Sequence, residues 1–326
     1  MLAATKLRPS LQLWRRACGR GRAWSWWIGL ALFFLAYALI TPELNSAGGL
    51  PWNQGSNYAL VRALADGTAK VDRYAWQTGD LSYFHGHYYS VRAPGLSFVD
   101  LPVFEVARAA GVPTQGKGTA ETGAAGALKM ISVLGLLGAT VPAVLLLVLA
   151  RKVADRFEAG TGVAVAVALG AATLMLPFAS MLFVHVLSAL LGFAAFTLLL
   201  AERAVRPRGL VVFGAGVIAG LAVTVEYPLI IVAGLVGLYA LARRPRLRRA
   251  SAYSFGVAVG VTPGRLTYQA GLTHSPCMLY SWPSRRTCAD ADAFPARVER
   301  TASRTCTTRR SVFVPSIDTS QLELLR

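Results

Sequence analysis

From Ile131 to Ala150 the chain reads Ile-Ser-Val-Leu-Gly-Leu-Leu-Gly-Ala-Thr-Val-Pro-Ala-Val-Leu-Leu-Leu-Val-Leu-Ala, and Arg151-Lys152 follow at once. An uncharged run of about 20 residues, wound as a helix, covers roughly the 30 Å hydrocarbon core of a bilayer. Extended outwards, this run occupies 127–150. Comparable apolar stretches fall at 23–41, 160–178, 181–201, 209–225 and 227–242, with a shortened one at 251–263. The 326-residue chain is 54% hydrophobic and only 15% charged, against about 25% charged in soluble domains. The expected fold is therefore an all-α integral membrane protein, a polytopic helical bundle with about 6–7 transmembrane helices.

The net charge of +17 would point to nucleic acid if it formed a patch on a soluble domain. Here the cations come in short groups between apolar stretches: Arg15 to Arg22, then Arg151/Lys152/Arg156, then Arg203/Arg206/Arg208, then Arg243 to Arg249. Alternating spans put all four groups on one side, which the positive-inside rule makes cytoplasmic. No nucleic-acid partner is expected, and the bilayer itself is the surrounding partner. Residues 1–22 are read as a basic cytoplasmic N-terminus and 23–41 as a retained signal anchor, since no small-residue cleavage site follows.

That topology makes 42–126 one long outer loop in a transmembrane domain of 23–263. Ser56 is expected to cap a helix through about Asp66, with Leu60, Val61 and Leu64 on one face and Gly67 as its stop. A second helix is expected at 94–110, with Leu96, Val99, Val103 and Val106 on one side, Asp100 and Arg108 on the other, and Pro102 interrupting it. Both are expected to be amphipathic helices lying in the interface, and 111–126 a flexible connector. Glycines within spans, such as Gly135/Gly138 and Gly214/Gly216/Gly220, are read as close helix packing.

After Pro263 the character changes: 264–326 is rich in Arg, Thr, Ser and Pro, without hydrophobic period. It is read as either a disordered extension or out-of-frame sequence replacing later spans, because an apolar stretch ends mid-membrane. Cys18, Cys277, Cys288 and Cys306 form no close pair, so neither a disulfide framework nor a zinc site is expected.

The chemistry concentrates in the outer loop between Asp72 and Pro94. Asp72 and Asp80 are its central acids; a carboxylate can take the proton from an attacking hydroxyl. Arg92 or Arg73 can stabilise a departing phosphate. Tyr83, Phe84, Tyr88 and Tyr89 can stack on sugars or anchor at the headgroup level. His85-Gly86-His87 lacks further metal ligands and reads as a turn. His185 and Glu226, near outer helix ends, are functional candidates because ionisable groups inside membranes are costly.

The order of these parts resembles the polytopic GT-C-class glycosyltransferases, in particular bacterial protein O-mannosyltransferase and lipid A aminoarabinose transferase relatives. A first span is followed by a loop helix Tyr58-Ala-Leu-Val-Arg-Ala-Leu-Ala-Asp-Gly67, then Gly79-Asp80, Gly86-His87-Tyr88-Tyr89-Ser90 and Arg92-Ala93-Pro94-Gly95. The resemblance covers 23–263. It implies a membrane glycosyltransferase of the bacterial cytoplasmic membrane that moves a sugar from a polyprenyl-phosphate donor to an acceptor on the outer face. It places the donor phosphate on Arg92, with Arg73 as a second candidate. Tyr58, His87, Tyr88, Tyr89 and His185 fall to the substrate cavity. The family usually carries an acid just after the first span, where this chain has Trp52-Asn53-Gln54-Gly55-Ser56. The catalytic acid therefore falls to Asp80 or Asp72. A divalent metal is possible but not required. A transporter or flippase-like protein, and a non-catalytic truncated remnant of the enzyme, are the alternatives.

Overall fold

The computed structural model describes residues 28–32, 34–36, 39, 52–114, 120–204 and 208–271. The four cysteines and the tail beyond Gly271 lie outside the described residues. Most described residues are helical. Two helical stretches, Ala127–Phe157 and His185–Glu202, are long and apolar enough to cross a membrane; Gly162–Ala171, Gly209–Val225 and Tyr227–Leu241 are shorter apolar helices.

Helix α1 (Trp52–Ala65) ends where expected, at Gly67, whose φ of 77° is the left-handed conformation open to glycine. Its start differs. Ser56 lies inside the helix, fully buried, with its Oγ donating to the Asp80 carbonyl at 2.8 Å and 2.7 Å from Ser90 Oγ. Every residue from Gln54 to Ala63 is buried, so α1 is covered on all sides over this stretch rather than on one amphipathic face. It is held on several sides at once: Gln54 Oε1 accepts from Leu182 N at 3.1 Å, and Tyr58 packs edge-on to Phe104.

The segment between α1 and α2 is not all-helical. A short 3-10 turn (Asp72–Gln77) leads into strands β1 (Leu81–Phe84) and β2 (His87–Ser90), an antiparallel hairpin. The turn expected around Gly86 is its tip. His85 and Gly86 both have positive φ, 50° and 81°, as a two-residue primed turn requires.

Helix α2 (Gly95–Ala109) runs straight through Pro102. Its buried face carries Leu96, Asp100, Phe104 and Ala107, while Val99 and Val106 are exposed, so the expected assignment of faces is inverted around Asp100. The i, i+4 spacing of the buried set follows the helical repeat; a sequence with valines on both sides offers no way to tell which is covered.

Helix α3 (Ala120–Gly135) begins inside the expected connector and continues through a π-helical segment, Leu136–Thr140, into α4 (Val141–Phe157). The expected span at 160–178 is split into α5 (Gly162–Ala171) and a short α6 (Met175–Ala179). Helices α7 (His185–Glu202), α8 (Gly209–Val225) and α9 (Ile230–Leu241) match their expected stretches closely. Helix α10 (Arg246–Gly271) does not stop at Pro263-Gly264 but continues for two further turns.

Helices α8 and α10 run parallel in close contact. A Cβ on Gly216 would lie 2.2 Å from the Tyr253 carbonyl oxygen, and one on Gly260 2.3 Å from that of Val217. Small residues four apart on both partners let the backbones touch. At the far end of this pair, Glu202 is fully buried against Arg249, whose Nη1 and Nη2 donate to it at 2.8 and 3.1 Å. A buried cluster of Tyr58, Leu96, Phe104, Met130, Leu134 and Leu182 ties α1, α2 and α3 to the chain entering α7.

Candidate functional site

Asp80 immediately precedes β1 and Arg92 follows β2, so the Leu81–Ser90 pairing at the open end of the hairpin brings them together. Arg92 Nε donates to Asp80 Oδ2 at 2.7 Å, and Nη2 bonds the same oxygen. Both side chains stay partly open, 32% and 22% exposed. Asn53, on the first turn of α1, lies 3.3 Å from both Arg92 Nη atoms and accepts from them with its oxygen turned to the guanidinium.

Arg92-Ala93-Pro94-Gly95 then docks this corner on α8. A Cβ on Gly95 would lie 2.6 Å from Val225 N and Cα, so only glycine lets α2 start there. The contact sets Arg92 beside Glu226, the residue that follows α8. Glu226 accepts from Ser188 Oγ at 2.6 Å and pairs with His185 Nδ1 at 3.1 Å. The His185 hydrogen bond first, then that of Ser188 and the nearby positive charge of Arg92, hold the Glu226 carboxyl below its ordinary range against the opposing effect of burial. Glu226 is thus a carboxylate, an acceptor only, and His185 carries its proton on Nδ1 when the ring is neutral. No described residue hydrogen-bonds His185 Nε2. The ring is gripped by Phe178, at 4.8 Å between centroids, and by the near-parallel Phe183 at 6.0 Å.

Ser188 also begins an apolar groove of about 610 Å³ between α7 and α9, lined along its length by Phe193, Phe196, Leu229, Val236 and Tyr239. Ser188 thus joins the polar cluster at Glu226 to one end of an open apolar groove.

The other expected site residues sit elsewhere. Asp72 is at the opposite end of the hairpin from Asp80, roughly 10 Å away by strand rise. There it accepts from the Tyr88 amide at 2.6 Å and from His87 Nδ1 at 2.8 Å, while Lys70 Nζ stands 3.0 Å from His87 Nε2. Both His87 nitrogens are engaged, and Asp72 latches the hairpin to the preceding turn. Arg73 is 75% exposed and 3.9 Å from Asp66. Tyr58 is buried, not cavity-lining; its hydroxyl donates to the Thr114 carbonyl, and burial pushes it up to about 12. Tyr89 is buried under the hairpin, and Tyr88 packs on Tyr83 at 5.0 Å.

Of the expected set, Asp80 and Arg92 pair directly, and His185 is linked to them through Glu226, which the charge of Arg92 reaches. Asn53 and Ser188 complete the arrangement without any signal in the sequence, being ordinary polar residues in apolar surroundings. Among the described residues no group of three or more His, Cys, Asp or Glu could hold a metal ion. No family model matches the chain, and neither a curated protein nor a solved structure matches it.

Proposed function

We propose that the protein is a multi-pass membrane glycosyltransferase of the bacterial cytoplasmic membrane, its N-terminus cytoplasmic. It moves a sugar from a polyprenyl-phosphate donor to an acceptor on the outer face. The observation that carries this reading is the nearness of Arg92 to Glu226, whose hydrogen-bond partner Ser188 lines one end of the α7/α9 groove. An amphiphile with an anionic head and an apolar tail fits that arrangement: the phosphate on Arg92, the prenyl chain along Phe193, Phe196 and Val236.

A membrane location is supported by the two long apolar helices and by outward-facing Leu145, Leu210, Ile230, Leu235, Leu238 and Phe255, an exposed apolar surface that water would penalise. In this reading the expected bundle of about 6–7 spans includes α5, α8 and α9, whose short apolar helices are extended by adjoining turns. Asp80 fixes the guanidinium of Arg92 in the plane that meets the phosphate, and its own free oxygen remains available to an acceptor or a divalent cation.

The test is donor turnover by the full chain in nanodiscs supplied with a polyprenyl-phosphate sugar. Arg92→Ala and Asp80→Asn are expected to abolish release of polyprenyl phosphate while insertion into the membrane is retained. Full turnover in both variants would rule out these roles. Solute uptake into proteoliposomes without any sugar transfer would favour a transporter instead.

A further inference from the structure

The site contains an imidazole that neither the phosphate nor the groove uses. We propose that His185 is the general base that takes the proton from the acceptor, and that Glu226 is the residue that positions it; this rests on the glycosyl-transfer reading above. The geometry is that of a carboxylate-oriented histidine. Glu226 Oε1 fixes the Nδ1–H tautomer at 3.1 Å, Ser188 Oγ anchors the other carboxylate oxygen at 2.6 Å, and Phe178 and Phe183 hold the ring plane. That leaves the lone pair on Nε2, with no described partner, in a side chain that is 39% exposed.

The competing bases are worse placed. Asp80 Oδ2 is taken up by two donors from Arg92, so this carboxylate serves to hold the guanidinium. Both nitrogens of His87 are engaged, at the other end of the hairpin. Asp100, on the inward face of α2, is fully buried.

The step balances without any further reagent. The acceptor oxygen forms a bond to the anomeric carbon as the bond from that carbon to the phosphate oxygen breaks. The electron pair leaves with the polyprenyl phosphate, whose growing charge faces Arg92, and the acceptor proton passes to His185 Nε2. Glu226 stabilises the imidazolium that results, as the carboxylate behind a catalytic histidine does.

Two measurements on the full chain in nanodiscs test this. The four histidines make 15N-imidazole NMR tractable, with the His185 signals assigned by their loss in His185→Asn. His185 is expected to show the Nδ1–H tautomer, and Glu226→Gln to give a mixture of tautomers that Glu226→Asp largely reverses. In donor turnover, His185→Ala is expected to lose about 100-fold or more in kcat with little change in KM for the donor, and added imidazole to restore part of it. A His185→Ala protein as active as wild type, beside an inactive Arg92→Ala protein, would overturn the base and leave the glycosyl-transfer reading standing. So would a His185 ring protonated on Nε2 alone. A wild-type chain that consumes no donor overturns both.

Discussion

Gly95 lies flat against the backbone of Val225, so close that a Cβ would stand 2.6 Å from its nitrogen and α-carbon. This one contact joins the β1/β2 hairpin to the end of α8 and so brings Arg92 near Glu226. It gives the Arg92-Ala93-Pro94-Gly95 sequence a physical reason: proline sets the turn, and glycine is the residue that the approaching helix admits.

Gly95→Ala is expected to destabilise the protein by about 1–3 kcal/mol, the usual cost of overpacking where the obstacle is backbone. It should also lower donor turnover, because α2 must move away and carry Arg92 with it. Thermal melting in detergent and turnover in nanodiscs check the two effects; an unchanged melting temperature would show that α2 and α8 do not touch here.

Asp72→Ala is expected to loosen the hairpin rather than to stop chemistry. The carboxylate holds the Tyr88 amide and His87 together. Without it, the amide of Tyr88 should lose hydrogen-exchange protection while those of α7 keep theirs, and donor turnover should fall less than in Asp80→Asn.

Asp100 has both carboxylate oxygens buried and, among the described residues, without a hydrogen-bond partner, pressed against Gly138 of the π-helical segment. Burial pushes its carboxyl well above the ordinary aspartate value of 3.8. The folded state then holds a proton that the unfolded chain gives up. Stability is greatest below about pH 4 and falls as pH rises from there through the folded-state value. Asp100→Asn removes that loss. It is expected to be the more stable protein at neutral pH, by about 1–3 kcal/mol, with an advantage that vanishes in acid. Denaturation at several pH values measures it.

Glu202 and Arg249 form a buried pair at the end of the molecule opposite the site, with Arg243 Nη1 donating to the Glu202 carbonyl at 2.9 Å. Removing one charge leaves the other stranded. Glu202→Ala is expected to cost about 3–5 kcal/mol, whereas the double change Glu202→Leu with Arg249→Met should cost much less. A double-mutant cycle in thermal stability separates the pair from its surroundings.

Much of the helix content was legible because apolar runs are long and helices are local. The stretch at 209–225 matches residue for residue, and the one expected at 181–201 forms a helix from His185 to Glu202. The misreadings share one cause. Ser56 has the chemistry of a helix cap, yet it lies within α1, because burial against Asp80 and Ser90 outweighs local preference. Asp100 has the chemistry of a solvent face, yet it lies inward, because α2 is oriented by Leu96, Phe104 and Gly95. Strands β1 and β2 went unread because four residues of mixed polarity carry too little period to declare a strand. Pro263-Gly264 suggested an end that α10 passes through.

The sequence by itself determined that Ile131–Ala150 and its counterparts are apolar helices, since their composition leaves the backbone no cheaper arrangement than hydrogen bonds to itself. It also determined that Asp80 and Arg92 lie in one short polar segment. Only the tertiary structure decided that these two pair with each other, that Asp72 is a latch at the far end of the hairpin, and that His185 and Ser188 on α7 join Glu226 just after α8 to complete the site. The reason is range. A helix is written in contacts four residues apart, whereas this site depends on approaches between residues some 40 apart in the chain, fixed by a glycine at Gly95 and small residues between α8 and α10.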